Sequence, residues 1–177
     1  MTGFEPIRTT NNHWTGENLR SCPTQLKKQA YLTFVRPTLE YSSSVWSPYW
    51  AEDIASLEAV QRRAARFITK NLSPYSSPTV MLSSLAIPTL EQRRRYTRAV
   101  MLYKIANGLV AIPSSPYLTP KPRGDRPSYL YPHSRVNAHL HSFFPDAVRI
   151  WDTLGEAVRA PSLDTFKLEA SNLLLTN

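Results

Sequence analysis

The stretch AEDIASLEAVQRRAARFITK, residues 51–70, combines the apolar period of an amphipathic helix with a strongly basic second half. Apolar or small side chains recur every three or four positions, which is the spacing of one buried helix face. At about 100° per residue, the cations project roughly opposite to that face. The stretch therefore predicts a helix over residues 52–70 with two separate faces. The core face is Ile54, Leu57, Gln61, Ala64 and Ile68, and the basic face is Arg62, Arg63, Arg66 and Lys70.

Helical patterns also recur on both sides of this stretch. Leu26, Ala30, Phe34 and Val35 are expected to form the buried face of an earlier helix, which Pro37 kinks or ends. The fold class is therefore expected to be mostly α, a small helical bundle with a proline-rich irregular strap and C-terminal helices. The predicted helices cover residues 23–35, 52–70, 79–85, 89–107, 142–154 and 162–174, and residues 112–132 are expected to be largely irregular.

Two of the predicted helices carry recognisable end signals. Thr89 and Gln92 have the spacing of a capping box, and Gly108 is expected to stop that helix at its C′ position. The second half of the same helix, AVMLYKIA, is apolar on nearly all sides and is expected to be buried. Ser162 is the expected N-cap of the last helix. Its apolar face is expected to contain Leu163, Phe166, Leu168, Leu173 and Leu174.

Composition and periodicity divide the chain into four expected segments. Residues 1–20 show no sustained periodicity and are expected to be a disordered leader. Residues 21–110 are expected to form the helical bundle. Residues 111–141 form a proline-rich linker, and residues 142–177 a C-terminal helical segment.

The positive charge of the chain is concentrated in one region. The formal net charge is +8, a balance that favours polyanionic partners such as nucleic acid or an acidic membrane surface. From Gln61 through Lys104 there are nine Lys or Arg residues and one acid, Glu91, so the rest of the chain is balanced. The basicity therefore belongs to two neighbouring helices. The second helix contributes Arg93, Arg94, Arg95 and Arg98.

These cations have two alternative explanations, a solvated surface or a contact with phosphates. A solvated surface helix normally carries acids three or four positions from its cations. Glu58 is placed to pair with Arg62, and Glu91 with Arg94 or Arg95. No such acid lies within reach on the same helix for Arg63, Arg66, Lys70, Arg93 and Arg98.

The sequence shows no pattern typical of a catalytic or metal centre. The acidic pair Glu52 and Asp53 is explained by its place in a first helical turn. Cys22 is the only cysteine, so neither an intramolecular disulfide nor a multi-cysteine zinc site can form. The histidines at 133, 139 and 141 lack ligand spacing and are interpreted as ordinary polar residues. We therefore expect no catalytic residue, no metal and no cofactor.

The expected location is intracellular, in the nucleus or the cytoplasm. The first twenty residues contain no apolar region of the kind found in secretory signals. The longest uncharged run, residues 71–90, contains three prolines and many hydroxyl side chains, which argues against a membrane span. Neither secretion nor membrane insertion is expected.

Several stretches of the sequence resemble one protein family. AYLTFVRPTLEYSSSVWSPYW (30–50), LEAVQRRAARFITK (57–70), LEQRRRYTRAVMLYKIANGLV (90–110) and SFFPDAVRIWDTL (142–154) are similar, in order and spacing, to non-LTR retrotransposon reverse transcriptases. The resemblance runs from about residue 18 to residue 174, and is greatest to the LINE-type, Jockey-like branches. It covers the region downstream of the polymerase palm.

The resemblance implies a thumb without its catalytic palm. In that family the palm carries an aromatic-x-Asp-Asp motif that binds the catalytic metal, and this sequence has no such motif. The bundle would then be a helical thumb, non-catalytic by itself, that grips RNA, DNA or an RNA–DNA hybrid through the phosphate backbone without reading sequence. The implied contacts are Arg62, Arg63, Arg66 and Lys70, and also Arg93, Arg94, Arg95 and Arg98. The alternatives are a helical protein-interaction module and a remnant without function.

Overall fold

The computed structural model describes residues 19–122 and 126–176, and within them the chain is mostly helical, as predicted. The only strand-like feature in these ranges is an isolated antiparallel bridge between Pro120 and Tyr129. The helices are α1 (Thr24–Ala30), a π-helical turn (Tyr31–Val35), α2 (Arg36–Glu40), α3 (Ala51–Thr69), α4 (Pro78–Ser84), α5 (Leu90–Ala106), α6 (Asn137–Leu140), α7 (Phe143–Thr153), a 3₁₀ turn (Gly155–Arg159) and α8 (Leu163–Leu174).

The ends of α5 and α8 follow the predicted signals. The Thr89 hydroxyl accepts a hydrogen bond from the backbone N–H of Gln92, and the Gln92 side chain accepts one from the Thr89 N–H, which completes the capping box. Gly108, just past α5, has φ of 66°, a conformation that favours glycine. The Ser162 hydroxyl caps α8 by accepting from Thr165 N–H. These end predictions are confirmed.

The first helix continues through Pro37, which was expected to kink or end it. The π turn lies directly before α2, and Pro37 occupies the first turn of α2, where a missing N–H does no harm. The predicted buried face of this helix is partly wrong. Leu26 and Phe34 are 50% and 67% exposed, whereas Val35 packs against the core that this helix forms with α3 and α4. The inward-facing residues are Lys27 and Tyr31, one turn apart.

A first, small core lies between the α1–α2 helix, α3 and α4. It consists of side chains from all three helices and from the loop that follows α4. Gln61 lies fully buried beside it on α3, hydrogen-bonded to Tyr31 and to the Pro88 carbonyl. The core residues are Tyr31, Ala65, Ile68, Met81, Leu82, Leu85 and Ile87.

A second, larger core lies between the second half of α5, α7, the 3₁₀ turn and α8. The rings of Tyr103 and Phe166 stack with centroids 4.3 Å apart, and Trp151 packs beside Phe166. The expected burial of AVMLYKIA on α5 is confirmed at Ala99, Leu102, Tyr103 and Ile105. The predicted face of α8 is partly wrong. Leu168 and Leu173 are exposed, and the buried positions at four-residue spacing are Phe166, Ala170 and Leu174.

The proline-rich segment between α5 and α7 lies along α7. Tyr117 stacks on Phe144 with centroids 4.3 Å apart, and the Trp151 indole N–H donates to the Pro127 carbonyl. Leu118 is buried in the second core. Apart from the bridge and the four-residue helix α6, this segment is irregular wherever it is described. The expected leader falls almost entirely outside the described residues.

Candidate nucleic-acid interface

The first core is built from sequence that contains cations and no acids. Residues 19–39 and 59–90 together hold eight Lys or Arg residues and no Asp or Glu. They supply α1, the π turn, the second half of α3 and α4, which pack on one another. The acids of α3 are confined to its first half, at Glu52, Asp53 and Glu58. The charge of α3 is therefore polarised along its axis.

Two of the predicted basic residues on α3 are fully available. Arg63 and Lys70 are exposed, and neither forms an ion pair with any residue in the described ranges. Lys70 ends α3 in the left-handed conformation, with φ of 55°. Cations at this end of a helix are favoured by the macrodipole. We call Arg62, Arg63, Arg66 and Lys70 the α3 basic face.

The other two predicted cations of α3 are only half-exposed. An Nη of Arg62 donates to the Ala55 carbonyl at 3.2 Å, on the same helix. The Nε of Arg66 is shielded from solvent and has no hydrogen-bond partner among the described residues. The prediction of one freely exposed basic face over Arg62, Arg63, Arg66 and Lys70 therefore holds only in part. Arg63 and Lys70 carry the exposed charge.

A groove of about 330 Å³ separates the first helix from α3. Its lining is mostly apolar and also includes Lys27 and Arg63. The ammonium of Lys27 lies 4.7 Å from the centre of the Phe67 ring, a cation–π contact. Burial lowers the pKa of Lys27, and the nearby charge of Lys70 lowers it further. The lining also includes Leu19, Ala30, Tyr31, Phe34, Val35, Val60, Ala64 and Ile68.

The arginines of α5 do not form an exposed basic surface. Arg93 is bound by Glu40 of α2, with a second contact of 2.9 Å from Nη2 to Oε2. Arg98 is 1% exposed and forms an ion pair with Asp146 of α7. Arg94 is 3% exposed, and Arg95 alone is exposed.

Arg93 and Arg98 therefore have acidic partners, although no acid lies three or four positions away from either on α5. Both partners come from other helices, distant in sequence, which a search for acids three or four positions away cannot detect. Burial of Arg94 and Arg98 likewise contradicts their expected place on a surface that faces a duplex. The site predicted from eight cations is thus divided between the α3 basic face and a separate cavity.

That cavity, of about 290 Å³, lies between α5, α7 and the loop before α3. Arg94, Arg95 and Arg98 line it together with the acids Glu91 and Asp146. Sequence reasoning did not find this cavity, because it joins three segments that are far apart in the chain. Other lining residues are Ser47, Pro48, Tyr49, Ile54, His141 and Ile150.

The remaining metal-ligating residue types are dispersed. Within residues 19–122 and 126–176, no three His, Cys, Asp or Glu side chains lie close enough together to hold a metal ion. The Nδ1 of His139 lies 2.7 Å from the Ser134 hydroxyl, and His141 stacks on Tyr49. Among the helices of the same ranges, none has both the length and the apolar character that a membrane crossing requires.

Comparisons with protein families, with curated proteins and with solved structures found no match for this chain.

Proposed function

We propose that this chain binds nucleic acid through the phosphate backbone, and that the α3 basic face makes the contact. The observation that carries the proposal is the charge of the two segments that build the first core, which contain eight Lys or Arg residues and no Asp or Glu. Of these cations, Arg63 and Lys70 are exposed and form no ion pair in the described structure. The chain would correspond to the thumb and tail of a LINE-type reverse transcriptase, as its sequence motifs suggest. It would have no catalytic activity of its own.

The proposed contact is electrostatic and does not read sequence. Exposed Lys and Arg side chains displace the counterions condensed on a duplex, so affinity depends on the number of phosphates neutralised and falls with salt. Lys70 lies close enough to Lys27 for its charge to lower the pKa of Lys27. A phosphate bound at Lys70 would oppose this effect, because an anion favours the charged form of a nearby amine.

The test is the salt dependence of duplex binding. For wild-type protein and a DNA duplex, log K is expected to fall linearly with log salt, by about 0.9 for each phosphate neutralised. Replacing Arg63 and Lys70 by Gln is expected to flatten the slope by about 2, because two contacts are lost. Glutamine keeps the helix propensity of these positions nearly unchanged. Fluorescence anisotropy over a series of salt concentrations gives the slopes.

A matched control removes the same charge elsewhere. Arg135 and Arg149 are exposed and lie outside the first core, so replacing both by Gln lowers the net charge equally. That variant is expected to keep the wild-type slope to within about 0.5. Equal slopes for the two double variants would contradict the α3 basic face as the binding surface.

A second candidate function, a helical protein-interaction module, rests on the apolar groove beside the same face. Phe34 lines this groove and is 67% exposed, so a partner could cover its ring there. The salt series separates the two functions. If the wild-type protein does not bind a duplex even at low salt, the groove becomes the better-supported interaction surface.

A further inference from the structure

The cavity beside α5 holds two arginines that are buried more completely than such residues usually are. Arg94 and Arg98 lie four residues apart on α5, which places them on one side of that helix, and they are 3% and 1% exposed. Both line the cavity of about 290 Å³ between α5, α7 and the loop before α3. A guanidinium is almost never fully buried unless its donors are paired.

The donors of these arginines are mostly unpaired. Arg98 uses Nη1 for Asp146, while its Nε and Nη2 have no hydrogen-bond partner within the described ranges. The Nη1 and Nη2 atoms of Arg94 also have no hydrogen-bond partner within the described ranges. On Arg98 the pair Nε and Nη2 forms the side fork of the guanidinium, and on Arg94 the pair Nη1 and Nη2 forms the end fork. Each fork matches two oxygen atoms of one oxyanion.

The surroundings give the cavity a positive balance and a polar entrance. Arg95 lines it from the exposed side, so three arginines face the two acids Glu91 and Asp146. Glu58 also acts on Arg94, and one of its carboxylate oxygens already accepts the backbone N–H of Glu91 at 3.0 Å. Burial lowers the pKa of Arg94, and the charge of Arg98 contributes to the lowering. The charges of Glu58, Glu91 and Glu40 act in the opposite direction, and burial outweighs them.

We infer that this cavity binds a phosphate group at the guanidinium groups of Arg94 and Arg98, whose unpaired nitrogen atoms are covered in this structure and reach the phosphate when the side chains turn toward the cavity. Arg95 closes the site from the solvent side. The stacked rings of Tyr49 and His141, 4.7 Å apart and nearly parallel, form a flat wall beside it. The inference does not depend on the α3 basic face, since none of its residues lines this cavity.

A phosphate fits the donor set better than a carboxylate does. The four unpaired nitrogen atoms form two forks, and each fork needs two acceptor oxygens. A carboxylate has two oxygens and satisfies one fork. Inorganic phosphate has four oxygens around a tetrahedral centre, one for each unpaired nitrogen, and a phosphate monoester has three terminal oxygens, one of which would accept from both forks. The phosphate can be free or can belong to a nucleotide, and the cavity is large enough for more than the phosphate alone.

The test begins with the wild-type protein and inorganic phosphate. A saturable rise of the melting temperature is expected, because a ligand that binds only the folded state stabilises it. Sodium chloride at matched ionic strength is expected to give no saturable rise. Acetate is expected to bind at least about tenfold more weakly, because it satisfies one fork. The ring signals of His141 and Tyr49 are expected to shift in NMR spectra as phosphate is added.

Two further ligands distinguish the source of the phosphate. A nucleoside 5′-monophosphate that binds more tightly than inorganic phosphate would identify a nucleotide, with its base near the Tyr49 wall. Equal affinities would identify the phosphate alone. The unphosphorylated nucleoside is expected not to bind in either case, and its binding as tightly as the monophosphate would overturn the inference.

Variants locate the site on α5. Replacing Arg94 by Gln is expected to weaken phosphate binding by about 10- to 100-fold, because a charged fork is lost. Arg94→Lys keeps the charge without the fork and is expected to lose about tenfold. The control is Arg135→Gln, which removes one exposed charge away from the cavity and is expected to bind phosphate within about twofold of wild type.

Helix content and melting temperature without phosphate establish that each variant is folded. If the Arg94 variants do not fold, the NMR shifts of the wild-type protein still decide the question. The inference is overturned if phosphate leaves the His141 and Tyr49 signals unmoved, or if folded Arg94→Gln binds as the wild type does. It is also overturned if acetate binds as tightly as phosphate.

Discussion

Gln61 is the polar side chain at the centre of the first core. It was predicted on the apolar stripe of α3, and it is fully buried. Its carbonyl oxygen accepts a hydrogen bond from the Tyr31 hydroxyl at 2.8 Å, and its amide donates to the Pro88 carbonyl at 2.9 Å. Burial raises the pKa of Tyr31, so this hydroxyl stays protonated as a donor at neutral pH. The three groups connect the first helix, α3 and the loop before α5.

Replacing Tyr31 by Phe is expected to lower the free energy of unfolding by about 1–2 kcal/mol. The ring still fills the core, but the buried oxygen of Gln61 loses its donor. The matched control is Tyr75→Phe, which removes a hydroxyl from a ring that is 96% exposed, and it is expected to change stability by less than about 0.5 kcal/mol. Urea unfolding followed by circular dichroism measures both. Equal effects at the two positions would disprove the role of the buried hydroxyl.

Arg93 and Arg98 explain how the basic first half of α5 is tolerated. Cations near a helix N-terminus oppose the macrodipole. The partners Glu40 and Asp146 come from α2 and α7, and they place carboxylates next to these cations. The same two ion pairs connect α5 to elements of both cores. The charge on this helix is therefore used for tertiary contacts.

The residues of the core face of α3 are buried to different extents along the helix. Ile68 is completely buried in the first core, whereas Leu57 is only half-buried near the start of the apolar stripe. Ile68→Ala is expected to lower the free energy of unfolding by about 2–5 kcal/mol, because it leaves a cavity among packed neighbours. Leu57→Ala is expected to cost about 1 kcal/mol, since less surface returns to water.

Chemical denaturation of the two variants checks this difference. Both are expected to keep the salt slope of duplex binding, because neither position lies on the α3 basic face. A larger loss at Leu57 than at Ile68 would contradict the packing of α3.

Asp152 connects the proline-rich segment to α7. Its carboxylate accepts from the Lys121 ammonium at 3.0 Å and from the Tyr131 hydroxyl at 2.6 Å. Burial alone would raise the pKa of Asp152, but the hydrogen bonds from Tyr131 and Lys121 outweigh it and lower the pKa. The bond to Asp152 in turn raises the pKa of Tyr131. One side chain of α7 thus holds two positions of the irregular segment.

This cluster predicts a pH-dependent contribution to stability. A carboxyl whose pKa is lower in the folded state stabilises the fold above its ordinary value of about 4, and the contribution disappears as pH falls through the folded pKa. Asp152→Asn is therefore expected to lower the free energy of unfolding by about 1 kcal/mol at neutral pH, a value reduced for partial exposure. The difference from wild type is expected to shrink as pH falls below the ordinary carboxyl value of about 4 and on through the lowered pKa of the folded state.

Thermal unfolding of wild type and Asp152→Asn across this pH range is the measurement. The control is Asp164→Asn, whose carboxylate is 93% exposed and pairs only with Lys167 on the same helix. That variant is expected to follow the wild type closely at every pH. A wild-type advantage over Asp152→Asn that persists unchanged at low pH would contradict the assignment.

Local signals in the sequence determined the helices of this protein and several of their ends. The apolar period of residues 52–70 predicted α3 to within one residue at each end, and the Thr89 capping box and Gly108 predicted both ends of α5. Such features are encoded within one or two turns of chain, where spacing alone fixes which backbone groups are satisfied. The concentration of cations between residues 61 and 104 was equally visible without a structure.

Only the tertiary structure decided which face of each helix is buried and which cations remain free. Leu26 and Phe34 face outward, while Lys27 and Tyr31 face inward. The inward positions are stabilised by contacts with α3, since Tyr31 donates a hydrogen bond to Gln61 and Lys27 forms a cation–π contact with Phe67. Arg93 and Arg98 have partners that lie 53 and 48 residues away along the chain. An i, i+4 rule cannot detect such partners, since burial and charge pairing are set by segments that meet only after the chain has folded.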